Sequence, residues 1–213
     1  MLYIKTFVFN PYQENTYIIY DDAKNCIIVD PGMHSYQEEN TLKDYIDTEG
    51  LTPVHLINTH GHIDHVLGNR FVADTYGLTP QFHEGELPMI IQVQNYAPQM
   101  GIRYEPSPIP ETFLKEDDII TLGQEELSLI LAPGHSPAHL CLYSQKYDFL
   151  IGGDVLFKNS IGRTDLPGGN HQQLLNSIAT KIYTLPDQTV VYPGHGPSTS
   201  VGQEKKTNPF IRA

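Results

Sequence analysis

The sequence predicts an α/β fold, and two observations carry that prediction. Short β-branched and aromatic runs alternate with stretches of helical periodicity along nearly the whole chain. Strand-like runs also end three times in a Pro-Gly step, as Asp30-Pro31-Gly32, Pro133-Gly134-His135 and Pro193-Gly194-His195. A polar side chain stands beside each turn, so several strand ends can deliver functional groups to one rim, and the echo suggests an architecture of two halves. The length of 213 residues suits one ordinary core, and residues 1–213 are read as a single domain.

Taken in order, residues 2–9 and 17–20 flank a polar Asn-Pro segment and predict a hairpin, with residues 26–29 as a third strand. Ser35 with Glu38 three positions on predicts a capping box, Leu42, Tyr45 and Ile46 share a helical face, and Gly50 suits the stop. Residues 54–57 form a strand that runs into the polar string 58–65, and residues 66–76 then read as helix ending at Gly77. Residues 84–117 are the least regular, with a helix over 87–96 before Pro98, Pro106, Pro108 and Pro110 interrupt. Four strands follow, at 119–122, 127–131, 140–143 and 149–151. Leu174, Leu175, Ile178, Ile182 and Leu185 recur at helical spacing over 172–185, residues 189–192 make a last strand, and the tail is polar.

Thirteen Lys and Arg against 25 Asp and Glu give a net charge of −12, the wrong sign for neutralising many phosphates, so nucleic acid is not an expected partner. Apolar runs fall well short of the roughly 18 residues a membrane span needs, and no apolar block of signal-peptide length opens the chain. Cys26 and Cys141, the two cysteines, sit inside strand-like stretches and form no disulfide framework, which fits a cytoplasmic protein.

The densest chemistry is Thr59-His60-Gly61-His62-Ile63-Asp64-His65, three imidazoles and a carboxylate just after a strand. These are ligand types that zinc, iron and manganese prefer. In an extended segment His60 and His62 point to one side, while Asp64 and His65 face another direction and can serve a second ion. His135 and His195 each follow Pro-Gly at a strand end, and Asp154 follows Gly152-Gly153 at another. His34, His55, His83 and His171 stand outside the pattern and are read as surface or structural residues.

In order and spacing this set resembles the metallo-β-lactamase superfamily. The stretches Gly162-Arg163-Thr164-Asp165-Leu166-Pro167-Gly168-Gly169, Tyr192-Pro193-Gly194-His195-Gly196-Pro197 and Asn208-Pro209-Phe210 resemble its small glyoxalase II type, the hydroxyacylglutathione hydrolase-like proteins. The resemblance implies an αββα sandwich and two divalent metal ions, zinc first, with iron or manganese as alternatives. It implies that His60, His62 and His135 hold one ion, that Asp64, His65 and His195 hold the other, and that Asp154 bridges them. Asp64 and Asp154 are then the catalytic carboxylates, and Asp30 and His139 support the ligands from behind. Arg163, in its Gly-rich loop, is a candidate contact for an anionic group of a small-molecule substrate. The implied activity is hydrolysis of a thioester such as S-lactoylglutathione by a hydroxide shared between the ions. A mononuclear iron persulfide dioxygenase on the same fold is the alternative. The chain stops soon after His195, where longer glyoxalase II enzymes continue into a glutathione-binding helical domain, so the thiol carrier does not carry over.

Overall fold

A computed structural model describes residues 1–212, in which the alternating N-terminal runs become a hairpin of β1 (Leu2–Phe9) and β2 (Glu14–Asp21). β3 (Asn25–Val29) adds antiparallel to β2, and α1 (Tyr36–Glu49) leads to β4 (Thr52–Ile57), which lies parallel to β3. The ligand string then enters α2 (Ile63–Val66) and α3 (Asn69–Tyr76), followed by β5 (Pro80–Gln81) and α4 (Leu87–Tyr96). The sheet order is β1-β2-β3-β4-β5.

The remainder is built on β6 (Ile119–Leu122), β7 (Glu125–Leu131), β8 (Leu140–Ser144) and β9 (Phe149–Gly153). A small hairpin of β10 (Leu156–Phe157) and β11 (Ser160–Ile161) precedes α5 (His171–Ser177), and β12 (Val190–Pro193), β13 (Thr199–Ser200) and α6 (Val201–Thr207) close the described chain. This second sheet runs β13-β12-β9-β8-β7-β6. The described residues fall into two compact units, Met1–Leu114 with Thr121–Glu125, and Lys115–Ile120 with Glu126–Ala213.

Each unit has its own core. In the first, Leu42 and Ile46 of α1 and Val72 of α3 pack on Ile18, Cys26, Ile28 and Leu56 of the sheet, while Ile63 and Val66 of α2 pack with Ile90 and Val93 of α4. In the second, Leu174, Ile178 and Ile182 close over Cys141, Tyr143, Leu150 and Val191. Burying such a side chain contributes about 1.5–3 kcal/mol, so these clusters fix where the strand ends stand.

The structure corrects several expectations. The helix expected over 66–76 is broken at Leu67–Gly68, because the Gly68 N–H bonds the Pro31 carbonyl at 2.7 Å and a Cβ there would lie 2.8 Å from that oxygen. Ser35 does cap α1, accepting from the Glu38 N–H at 3.4 Å, but the Glu38 carboxylate reaches the N–H groups of Asn10 and His34 instead of closing the box. The helix over 172–185 is α5 followed by a π-helical turn, Ile178–Ile182. The tail read as merely polar contains α6, and the tail's last residue, 213, lies outside the described residues. No helix among the described residues is long and apolar enough to cross a membrane.

Candidate metal centre

In the first unit β3 and β4 run parallel, so Asp30 and the histidine string emerge from neighbouring carboxyl ends, where open α/β sheets place their ligands. The Asp30 carboxylate accepts from the Thr59 N–H (2.7 Å), the Thr59 hydroxyl (2.6 Å) and His65 Nδ1 (3.0 Å). Asp30, His60 and His65 offer donor atoms within 4.8 Å of one another, but Asp30 already has three partners and therefore acts on the ligand loop. The rings of His60 and His62 lie edge to face at 4.7 Å, and those of His60 and His65 are tilted at 52° with centroids 4.2 Å apart. His62 stands at the N-cap of α2, while Asp64 and His65 lie within it, and Asp64 Oδ2 is 3.7 Å from His65 Nε2.

Two buried glutamates in this unit escaped the sequence reading. Glu86 accepts from the Gly61 N–H at 2.9 Å and so braces the string between its first two histidines. Glu14 is fully buried with its Oε1 4.0 Å from His65 Nδ1, and burial pushes its carboxyl well above the ordinary range, against the opposing pull of His65. A lone Glu in a strand or turn looks like a surface residue, and no local signal marks either one.

In the second unit β7, β9 and β12 point the same way, since β8 is antiparallel to β7 and β9 and β12 is parallel to β9. Their carboxyl ends carry His135, Asp154 and His195 respectively, and the Gly194 N–H bonds the Gly153 carbonyl at 2.7 Å to hold the last two side by side. Asp154 Oδ2 stands 3.4 Å from His135 Nε2 and 3.6 Å from His195 Nε2. Those separations exceed a good hydrogen bond but match two donors sharing one cation, which at metal–ligand bonds near 2.1 Å and tetrahedral angles lie about 3.4 Å apart.

The far side of the ring is also fixed. His135 Nδ1 faces the Arg163 carbonyl at 2.8 Å, which leaves its Nε2 toward Asp154. His139, fully buried, accepts the Asp154 N–H on Nε2 at 3.0 Å and so holds the carboxylate's backbone. The Arg163 guanidinium is closed onto Asp165 by bonds of 2.8 and 2.7 Å, holding the Asp165 carboxyl down at about 2, and its backbone carbonyl is what reaches His135. The donor set in both units, imidazole nitrogens and carboxylate oxygens with their rear atoms braced, fits divalent transition metals.

The model of the family described as "Metallo-beta-lactamase superfamily" matches residues 9–195. The chain is 36% identical over 203 residues to the probable metallo-hydrolase YqgX of Bacillus subtilis (strain 168), covering 94% of this chain and 93% of that protein. It is 33% identical over 208 residues to the hydroxyacylglutathione hydrolase GloC of Haemophilus influenzae, covering 95% and 94%. Among solved structures, the BLEG-1 B3 metallo-β-lactamase superposes with a TM-score of 0.88 at 36% identity, covering 99% of this chain and all of that one. TTHA1623 in a di-iron-bound form gives 0.87 at 32%, covering 97% and 100%. Strand ends furnished with histidines and aspartates in this order, and matches that run nearly end to end, place the fold and lineage together: the chain belongs to the metallo-β-lactamase superfamily.

Proposed function

We propose that this protein is a metal-dependent hydrolase of small-molecule thioesters, a single cytoplasmic domain whose two ligand clusters act as one binuclear centre. The observation that carries the reading is the Asp154 oxygen held 3.4 and 3.6 Å from two imidazole nitrogens, the place of a bridging carboxylate. In this reading His60, His62 and His135 hold one ion, Asp64, His65 and His195 the other, and Asp154 both. Two divalent cations, zinc first, would supply when bound a water that ionises near neutral pH and a polarised carbonyl. Asp30 and the Arg163 carbonyl hold His65 and His135 with Nδ1 turned away, so that Nε2 stays available for coordination. Asp64, partly exposed, would in this reading take the proton of the attacking water on the carboxylate oxygen that does not hold the ion. As the new C–O bond forms the C–S bond breaks, and the products are a carboxylic acid and a free thiol.

The name of the Haemophilus relative supports a thioester as substrate, and the name of BLEG-1 supports a β-lactam as a second reading of the same attack. Purified, metal-replete protein should hydrolyse one or more of S-lactoylglutathione and a panel of acyl thioesters, contain two metal ions per chain, and lose the activity on Asp154→Ala. Intact thioesters would end the primary reading, and cleavage of a β-lactam alone would replace it with the second. One iron per chain with oxygen consumption would replace both with the dioxygenase.

A further inference from the structure

We infer that β1 is a docking edge for a second copy of this chain, the two β1 strands pairing antiparallel about Thr6 so that the first sheets of two protomers become one. β1 (Leu2–Phe9) closes one end of the sheet β1-β2-β3-β4-β5, with β2 on one side and, among the described residues, no strand on the other. Alternate N–H and C=O groups along its outer side therefore face solvent, and the partner that satisfies such a row is another extended strand. β5, at the opposite edge, is two residues long and offers no such row.

The strand lacks the features that usually keep sheet edges apart. It is eight residues long, and its pairing with β2 runs from Leu2 opposite Asp21 to Phe9 opposite Glu14 without a bulge. It contains no proline, glycine or carboxylate, in a chain whose net charge is −12. Its one charge does not guard the edge, because Lys5 Nζ lies 5.4 Å from the centroids of both the Phe7 and the Tyr45 rings, along the face that α1 covers. Tyr3 is 41% and Val8 61% exposed, and Leu2, Ile4 and Phe7 are half-buried, so apolar side chains flank the open backbone on both faces.

In one register the strand is complementary to itself, which selects a second copy over a foreign strand. Tyr3, Lys5, Phe7 and Phe9 share the face packed by Tyr45 of α1, and Leu2, Ile4, Thr6 and Val8 share the other. A two-fold axis perpendicular to the sheet keeps like faces together, so each residue meets one of its own set. An axis at Lys5 would set two ammonium groups opposite each other, which is destabilising. An axis at Thr6 overlaps residues 3–9 and sets the two threonines side by side, a favourable cross-strand pair. It also brings Ile4 opposite Val8 of the second copy, Tyr3 opposite Phe9 of the second copy, and Lys5 opposite Phe7 of the second copy, so an ammonium already beside one aromatic ring meets another. Axes farther along the strand shorten the overlap.

One strand pair is a small interface, so sedimentation of the zinc-loaded protein at about 100 µM should give twice the monomer mass, falling toward the monomer on dilution. Thr6→Lys, which sets two ammonium groups opposite each other, should sediment as a monomer with wild-type circular dichroism, and Thr6→Val should remain a dimer. A short bismaleimide should link Thr6→Cys into a covalent dimer, because directly opposite Cβ atoms stand about 4.5–5.5 Å apart. It should leave Val8→Cys unlinked, because that thiol and its copy would lie four residues, about 14 Å, apart. The native cysteines, both buried, do not compete. A wild type that stays monomeric at that concentration overturns the proposal. So does a dimer that survives Thr6→Lys, or one in which Val8→Cys links as readily as Thr6→Cys, since the contact would then lie elsewhere. If Thr6→Lys fails to fold, the two cysteine variants decide by themselves.

Discussion

Asp30 shows how a carboxylate can hold a histidine-rich loop from behind. Its two oxygens hold the Thr59 backbone and hydroxyl and His65 Nδ1, so replacing it by Asn keeps the shape but offers an NH₂ to groups that need an acceptor. Asp30→Asn should therefore weaken metal binding about 10–100-fold, read by competition with a chromophoric chelator, while the wild-type circular dichroism is retained. Asp30 was legible in the sequence only as a motif position beside a Pro-Gly turn; Glu14 and Glu86 had no such marker, since what they face in the fold, His65 and Gly61, lies far off in sequence. Cys26 gives a prediction of a different kind. Burial, with Asp21 nearby, pushes its thiol up to about 12, so a thiol reagent at pH 8 should label neither Cys26 nor the fully buried Cys141 in the native protein and both after unfolding. The same shift makes the folded chain hold a proton that the unfolded chain releases above pH about 8.5, so Cys26 should reduce stability as pH rises from there toward 12, in a denaturant series with Cys26→Ala as the reference.

Among the elements, those with strong periodicity or turn chemistry were legible, and those made by polar residues were not. The strands at 2–9, 119–122 and 140–143 and the helix at 87–96 follow directly from apolar pattern, as do the ends of β7, β9 and β12 that carry His135, Asp154 and His195. α6 was hidden because Val201 is its one apolar residue; the available signal was Ser200 with Gln203 three positions on, and Ser200 does cap the helix, accepting from the Gln203 N–H at 3.2 Å. What holds α6 is Glu204, whose carboxylate gathers Asn159 N–H, Asn208 Nδ2 and the Thr199 hydroxyl at 2.5 Å. Glu204→Ala would leave these donors without their acceptor in a closed space, which costs about 1–3 kcal/mol for an unsatisfied group. Urea unfolding should show a stability lower by that amount, read as the fall in midpoint multiplied by the m-value, and Glu204→Gln should recover part of the loss because one oxygen remains.

At the scale of the molecule, the side chains proposed as ligands would be a liability without cations. All seven proposed ligands are histidines or aspartates, set after strand ends or in and beside the short α2, and several are buried, in a chain already carrying a net charge of −12. Divalent cations offset part of that charge locally and bind the folded ligand array far better than an unfolded chain, so metal binding should appear as thermal stability. For a metal present at 100 times its dissociation constant, mass action contributes about 2.7 kcal/mol per site, which for a chain of this size raises the Tm by roughly 5–10 °C. A strong chelator should lower the Tm of native protein by at least that much, and added zinc should restore it. Magnesium should not, because a hard cation that demands oxygen ligands finds mostly imidazole here. Scanning calorimetry with Asp154→Ala as control decides the matter: the variant should start near the chelated midpoint and respond weakly to zinc, and a wild-type midpoint indifferent to chelation would remove the metal centre from the account of this protein's stability.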